Sequence, residues 1–188
     1  MDVIEAMHSW RTIRAYGPEP VQRSVITDLL WHAVQVSTPP HNQTPWALCV
    51  LEGTDRIEGY GQRAMDFARR HRPPGEPGWG WVDRPGFRVF WGAPVVVLVC
   101  ARSGNLEAPF DCCRAGQNLT LAAHFQGLGS CWVGAALPWL RAKGTATELG
   151  VPPDFEPCVV MLLGYPERRP EPKSRPYPDV TWCADTTS

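Results

Sequence analysis

The chain has 188 residues and a mass of 20.9 kDa, and at 44% hydrophobic it can bury a core without disulfide or metal staples. Eighteen Lys and Arg stand against 19 Asp and Glu, a net charge of −1 that leaves no basic surplus for a nucleic-acid backbone. The longest apolar run, residues 93–101, is about half a membrane span, and the opening MDVIEAMHSWRTIRAY lacks the apolar stretch of a secretory signal, so a nucleic-acid binder, a membrane protein and a secreted mini-protein all fit poorly and a cytoplasmic location is expected.

In chain order, Ile4, Met7 and His8 fall at helical spacing in a first helix expected to stop near Gly17-Pro18. A second helix starts at Pro20, with Val21, Val25, Leu29, Ala33 and Val36 on one face. Ser37-Thr38-Pro39-Pro40 ends it, because proline lacks the donor and restricts the residue before it. Residues 46–52 (WALCVLE) read as a buried strand and residues 55–70 as a weakly patterned helix. Residues 71–87, around RPPGEPGWGWVDRPG, form a loop insertion. Loops of that length in a compact domain are commonly functional, and Trp79 and Trp81 either cover a bound molecule or dock on the core.

Residues 93–100 (APVVVLVC) are an unbroken apolar, β-branched run and therefore a central strand. Residues 111–126 are a helix with Ala115, Leu119, Ala122 and Ala123 on one side, N-capped by Asp111 and stopped at Gly127. A short strand at 130–133, a helix at 138–149 ended by Gly150 and a buried strand at 158–163 follow. From Gly164 five prolines fall within fifteen residues, so residues 165–188 are an extended arm. The sum is a single α+β domain over residues 1–188, helices around a small sheet.

The chemistry-bearing residues exclude more than they assign. Five scattered histidines give neither H-x-x-x-H nor H-E-x-x-H, so no metal site is expected. There is no G-x-S-x-G and no G-x-x-x-x-G-K, and the Gly127-Leu-Gly129 cluster follows a helix instead of opening one. Seven cysteines lie mostly in apolar runs, where a free thiol is a small hydrophobe. What remains is a distribution of cations. Arg11 and Arg14, at i, i+3 with Thr12 between them, are placed to reach one point beyond the first helix. Lys173 and Arg175 alternate in the arm and point the same way. Two such clusters can chelate a dianionic phosphate; equally, basic pairs on a helix and a tail are commonly just solvated.

The order of five separated segments resembles the nitroreductase family of FMN-dependent flavoproteins. Arg11-Thr12-Ile13-Arg14 with Tyr16 and Pro18-Glu19-Pro20-Val21 is similar to its N-terminal R-S-x-R-x-[FY] signature. Asn42-x-x-Pro45-Trp46 is similar to N-x-Q-P-W. Asp111 with Gln117-Asn118-Leu119 and Ala122-Ala123 resembles the central helix, and residues 127–134 (GLGSCWVG) the G-L-G-x-x-x-x-G turn. Gly164-Tyr165-Pro166, residues 172–175 (PKSR) and Asp179-Val180 resemble the closing motif.

The resemblance implies a central mixed or antiparallel sheet flanked by helices, with the C-terminal arm exchanged in a homodimer that holds FMN at the subunit interface. Arg11, Thr12, Arg14, Lys173 and Arg175 would hold the FMN phosphate and ribityl chain. Pro39, Pro40 and Asn42 would approach the ring from the partner subunit. Cys131, Trp132, Val133 and Gly134 would lie along the ring, with the Val133 and Gly134 amides near N5 and O4. The chemistry then belongs to the cofactor, and no catalytic side chain is needed. Two positions depart from the family pattern: Trp10 replaces a phosphate-binding Arg, and Thr44 a Gln beside the flavin and the substrate space. The leading expectation is an oxidoreductase passing hydride from NAD(P)H to a small aromatic acceptor such as a nitroaromatic or quinone, with Trp79 and Trp81 as a lid. The alternatives are an oxidase or dehydrogenase that takes electrons from a biosynthetic intermediate and passes them to oxygen, and a flavin binder without turnover. Phe90 and Trp91 are expected simply to lead into the central strand.

Overall fold

The computed structural model describes residues 1–35 and 44–183. Four strands form one antiparallel sheet: β1 (Trp46–Glu52), β2 (Val95–Arg102), β3 (Gly129–Trp132) and β4 (Phe155–Gly164), in the order β1-β2-β4-β3. Leu98 sits opposite Cys49 on one side and Val160 on the other, which makes β2 and β4 the inner strands.

Both faces of that sheet are covered, which explains the unbroken apolar run of β2. Val96, Leu98 and Cys100 pack with Ile57, Ala64 and Met65 of helix α3 (Thr54–His71). Val95, Val97 and Val99 pack on the opposite side with Leu29 and Ala33 of α2 (Arg23–Ala33) and Ala115 and Leu119 of α4 (Ala108–Phe125). Burial on both faces removes the polar alternation that a half-exposed antiparallel strand shows.

Several sequence expectations are corrected at the element ends. The first helix, α1 (Val3–Ser9), is capped by Asp2 and stops well before Gly17. The chain then runs extended, because it pairs with the sheet: Thr12 bridges Ser130, the Ile13 amide donates to the Ser130 carbonyl at 2.9 Å, and Tyr16 bridges Pro166. Gly129 makes this approach possible, since a Cβ there would lie 2.6 Å from Ile13 Cγ1. Helix α2 starts at Arg23 instead of Pro20, and the expected contact of Val36 lies outside the described residues. Helix α4 begins before Asp111. Asn105 Oδ1 accepts from the amides of Glu107 and Ala108 at 2.9 and 3.2 Å, while Asp111 is buried and paired with Arg114. The helix expected over 138–149 is two short ones, α5 (Leu137–Leu140) and α6 (Thr145–Glu148), separated by Gly144 at φ +85°.

The 71–87 segment is a folded excursion. An Arg72–Asp83 ion pair closes it, a 3-10 turn runs over Gly80–Asp83, and Val82 is buried beneath it. From Glu167 to Cys183 the arm is extended and exposed, as its prolines predict. Its tethers to the body include Arg169, which donates to the Gly127 carbonyl at 2.6 Å and to His124 Nδ1 at 3.1 Å. Among the described residues no helix is long and apolar enough to cross a membrane.

Candidate functional site

In the extended segment 10–14, Arg11 and Arg14 line different clefts and do not converge as helical spacing suggested. Trp10 Nε1 donates to Ser130 Oγ at 3.0 Å and fixes the segment on β3. Tyr16 closes it with a hydroxyl bond to the Ile13 carbonyl at 2.8 Å, and burial pushes the phenol pKa well above its usual range. A cleft opens on each side of this segment.

The first cleft, about 700 Å³, is lined by Trp10, Arg11, Gln117, Lys173 and Arg175, with Tyr177 beyond them. Arg11 is held in place by three carbonyls: those of His8 (2.9 Å) and Trp10 (2.5 Å) on Nη1, and that of Lys173 (2.7 Å) on Nη2. A guanidinium has five N–H donors, so Nε–H and one Nη2–H stay free. Arg11, Lys173 and Arg175 form no ion pair with a described carboxylate. Three uncompensated cations around one cleft, one of them braced by the backbone, suit a dianion. They are joined by a contact between the arm and the end of α1 that only the tertiary fold creates.

The second cleft, about 490 Å³, is lined by Arg14, Arg84, Phe87, Trp91 and the stretch from Cys131 to Gly134. Arg14 lies over the Trp91 ring, 5.6 Å from its centroid. Trp91 has φ +51°, a conformation that non-glycine residues rarely adopt; Phe90 is core, as expected, but Trp91 is a wall of the cleft. Burial raises the Cys131 thiol pKa against the opposing pull of Arg14, so the thiol stays protonated and offers no nucleophile.

The backbone here corrects one sequence assignment. The Val133 amide donates to the Val160 carbonyl at 2.9 Å and is spent in the sheet. Gly134, exposed just beyond the strand, donates its amide to no acceptor among the described residues. Trp132 turns away from this amide: its Nε1 donates to Thr120 Oγ1 at 2.9 Å, and its ring lies against Gly116 of α4.

A third cleft, about 440 Å³, shares Phe87, Gly134 and Ala135 with the second and adds Trp79, Trp81 and Pro138. Trp79 and Trp81 stack at 6.0 Å, and Trp81, Phe87 and Trp91 follow at 5.3 and 5.2 Å. Trp81 docks on the core, one of the two readings the sequence left open, and both tryptophans line the third cleft.

Of the site residues expected from sequence, Arg11, Lys173 and Arg175 come together in the first cleft, and Arg14 joins the 131–134 stretch in the second. Thr12 lies between them, paired with β3. Pro39, Pro40 and Asn42 fall outside the described residues. Thr44 precedes β1, the outer strand opposite β3, and its carbonyl accepts from Arg102 Nε at 3.1 Å, so it is remote from the clefts beside β3. Arg84 was not singled out by the sequence, where its one local signal is a basic residue among the loop aromatics, and Trp91, expected to lead into the central strand, lines the second cleft.

The description "Nitroreductase family" matches residues 7–165. A curated protein of Methanothermobacter thermautotrophicus, provisionally named NADH dehydrogenase/NAD(P)H nitroreductase, is 29% identical over 180 residues, covering 90% of this chain and 80% of that protein. A nitroreductase with bound FMN from Desulfitobacterium hafniense superposes with a TM-score of 0.82 at 18% identity, covering 98% of this chain and all of the other. One from Bacteroides fragilis, also with bound FMN, gives 0.77 at 21%, covering 100% and 98%. With the family description spanning most of the sequence, the chain belongs to the Nitroreductase family.

Proposed function

We propose that the protein is an FMN-dependent oxidoreductase that carries hydride from NAD(P)H to an aromatic acceptor such as a nitroaromatic or quinone. The carrying observation is the division across residues 10–14: on one side three cations, and on the other a backbone amide beside an aromatic wall, none of them with a carboxylate or acceptor partner of its own among the described residues apart from the carbonyls that brace Arg11. That donor set fits a ligand with a phosphate at one end and a planar ring at the other. FMN, when bound, supplies the exchange of a hydride equivalent between nicotinamide and acceptor.

The chain's own residues bind and orient. Arg11, Lys173 and Arg175 hold the phosphate, with Arg11 taking the place that Trp10 vacates. The Gly134 amide donates to the ring edge, where a fixed backbone donor stabilises negative charge without titrating, and Arg14 adds positive charge at the same end. Trp79, Trp81 and Phe87 present planar apolar surface to an acceptor and exclude water.

The homodimer belongs to the same proposal. It is supported by the arm, whose Tyr177 and Trp182 are almost fully exposed in one chain. Light scattering of the FMN-loaded protein should return about twice 20.9 kDa; a monomer that holds FMN overturns the dimer.

The functional test is reconstitution with FMN followed by anaerobic NADH and NADPH. Bleaching of the flavin absorbance by either nucleotide is the expected result. A flavin band indifferent to both overturns the nicotinamide donor and leaves the oxidase or binder reading. Absence of a flavin band after reconstitution overturns the whole proposal.

A further inference from the structure

The second and third clefts form one trough, because they share Phe87, Gly134 and Ala135. Its wall is a continuous aromatic series, Trp79–Trp81–Phe87–Trp91, with successive centroids 5.2–6.0 Å apart. Arg14 and Arg84 line it, and among the described residues no acidic one does. Arg14 is the inner cation, placed over Trp91 beside the 131–134 stretch.

Arg84 is the other cation, on the opposite, loop side. Its backbone is fixed at both groups: its amide donates to the Trp81 carbonyl and its carbonyl accepts from Phe87, both at 3.2 Å. The adjacent Asp83 is engaged with Arg72, and Arg84 forms no ion pair with a described carboxylate. An Arg held by its backbone at the rim of an aromatic trough, with its charge uncompensated, is complementary to a flat ring bearing an anionic group.

We propose that Arg84 selects the acceptor, and that the preferred acceptors are aromatic or heteroaromatic rings carrying a carboxylate, which Arg84 pairs while the ring lies against Trp81 and Phe87. This rests on the oxidoreductase reading for turnover, but not for binding. A fork-shaped guanidinium matches a carboxylate with two parallel N–H bonds, so the effect belongs in substrate affinity and not in the hydride step.

The probes are 4-nitrobenzoate and its neutral isostere 4-nitrobenzamide. Binding to the FMN-loaded protein is read by quenching of tryptophan fluorescence, and turnover by KM and kcat with NADH and with NADPH. The wild type should bind the carboxylate about tenfold more tightly than the amide, the size of one well-made charged contact. Arg84→Gln should abolish that preference through KM with kcat unchanged, leave 4-nitrobenzamide binding as it was, and Arg84→Lys should restore part of it. Equal binding of the two probes by the wild type overturns the proposal, as does a preference that survives in Arg84→Gln. A loss confined to the KM for NADPH also overturns it, because Arg84 would then serve a nicotinamide phosphate. Visible absorbance of every variant keeps the two readings apart: a carboxylate preference in protein that takes up no flavin fails the cofactor reading alone, whereas nucleotide-bleached flavin without that preference fails the Arg84 proposal alone.

Discussion

The two inner strands and the arm that leaves them are made of opposite materials. Residues 95–101 of β2 are buried on both faces and hydrogen-bonded on both edges. Residues 167–183, beginning just beyond the end of β4, are exposed throughout and carry no regular structure. Strand stability comes from apolar area removed from water; the arm is held by a few polar tethers, chiefly Arg169 and the Arg11 bond to the Lys173 carbonyl. The first cleft lies where the two regimes meet, so the sheet sets where the site is and the arm supplies two of its three charges.

The contrast breaks most sharply inside the sheet. Gly129→Val forces a side chain into Ile13, which is itself buried and backbone-bonded to Ser130. The expected loss is toward the upper end of the usual overpacking range, about 3 kcal/mol, read as a lower urea midpoint with an unchanged slope. A neutral result would mean that segment 10–14 is not seated on β3. At the junction, Arg175→Ala or Arg11→Ala should weaken FMN binding by about 1.5–3 kcal/mol, roughly ten- to a hundredfold, with Arg175→Ala leaving thermal stability of the flavin-free protein unchanged. Unchanged flavin affinity in both variants removes the phosphate assignment. In the arm, Tyr177→Ala and Trp182→Ala should shift monomer stability by no more than about 0.5 kcal/mol but weaken dimer formation measured by dilution.

The smallest effect is a pH dependence at the root of the arm. His124 is depressed below its ordinary value by burial and by Arg169, and its ring accepts from Arg169 while donating to Ser9 Oγ at 2.8 Å. The unfolded chain therefore takes up this proton first as pH falls. The stabilisation is complete above about pH 6.5 and is lost on acidification through the depressed folded value. Urea midpoints at pH 7.5 and 5.5 should differ less in His124→Asn than in the wild type, and only slightly, because the ring is partly exposed.

The sequence displayed its strands more openly than its site. The β2 run and the proline-rich arm are local features, and both are where they were expected. The exact ends of helices were hidden because distant groups decide them: β3 captures residues 10–14 and ends α1 at Ser9, and Gly144 splits the α5–α6 region. The cation set was half legible. Lys173 and Arg175 line one cleft, but Arg11 and Arg14 part company because their segment is not helical. Which amide is free could not be read locally either, since Val133 is satisfied by Val160 on a neighbouring strand.

The central claim is that one end of the site is built for a phosphate and the other for a planar ring. Equilibrium titration of the flavin-free protein with FMN and with riboflavin, which lacks the phosphate, tests it most directly. The account predicts that FMN binds more than about a hundredfold tighter, given three charge-assisted contacts, and that a Lys173→Ala, Arg175→Ala double variant loses most of that advantage while riboflavin affinity stays constant. Equal affinity of the wild type for the two flavins would contradict it.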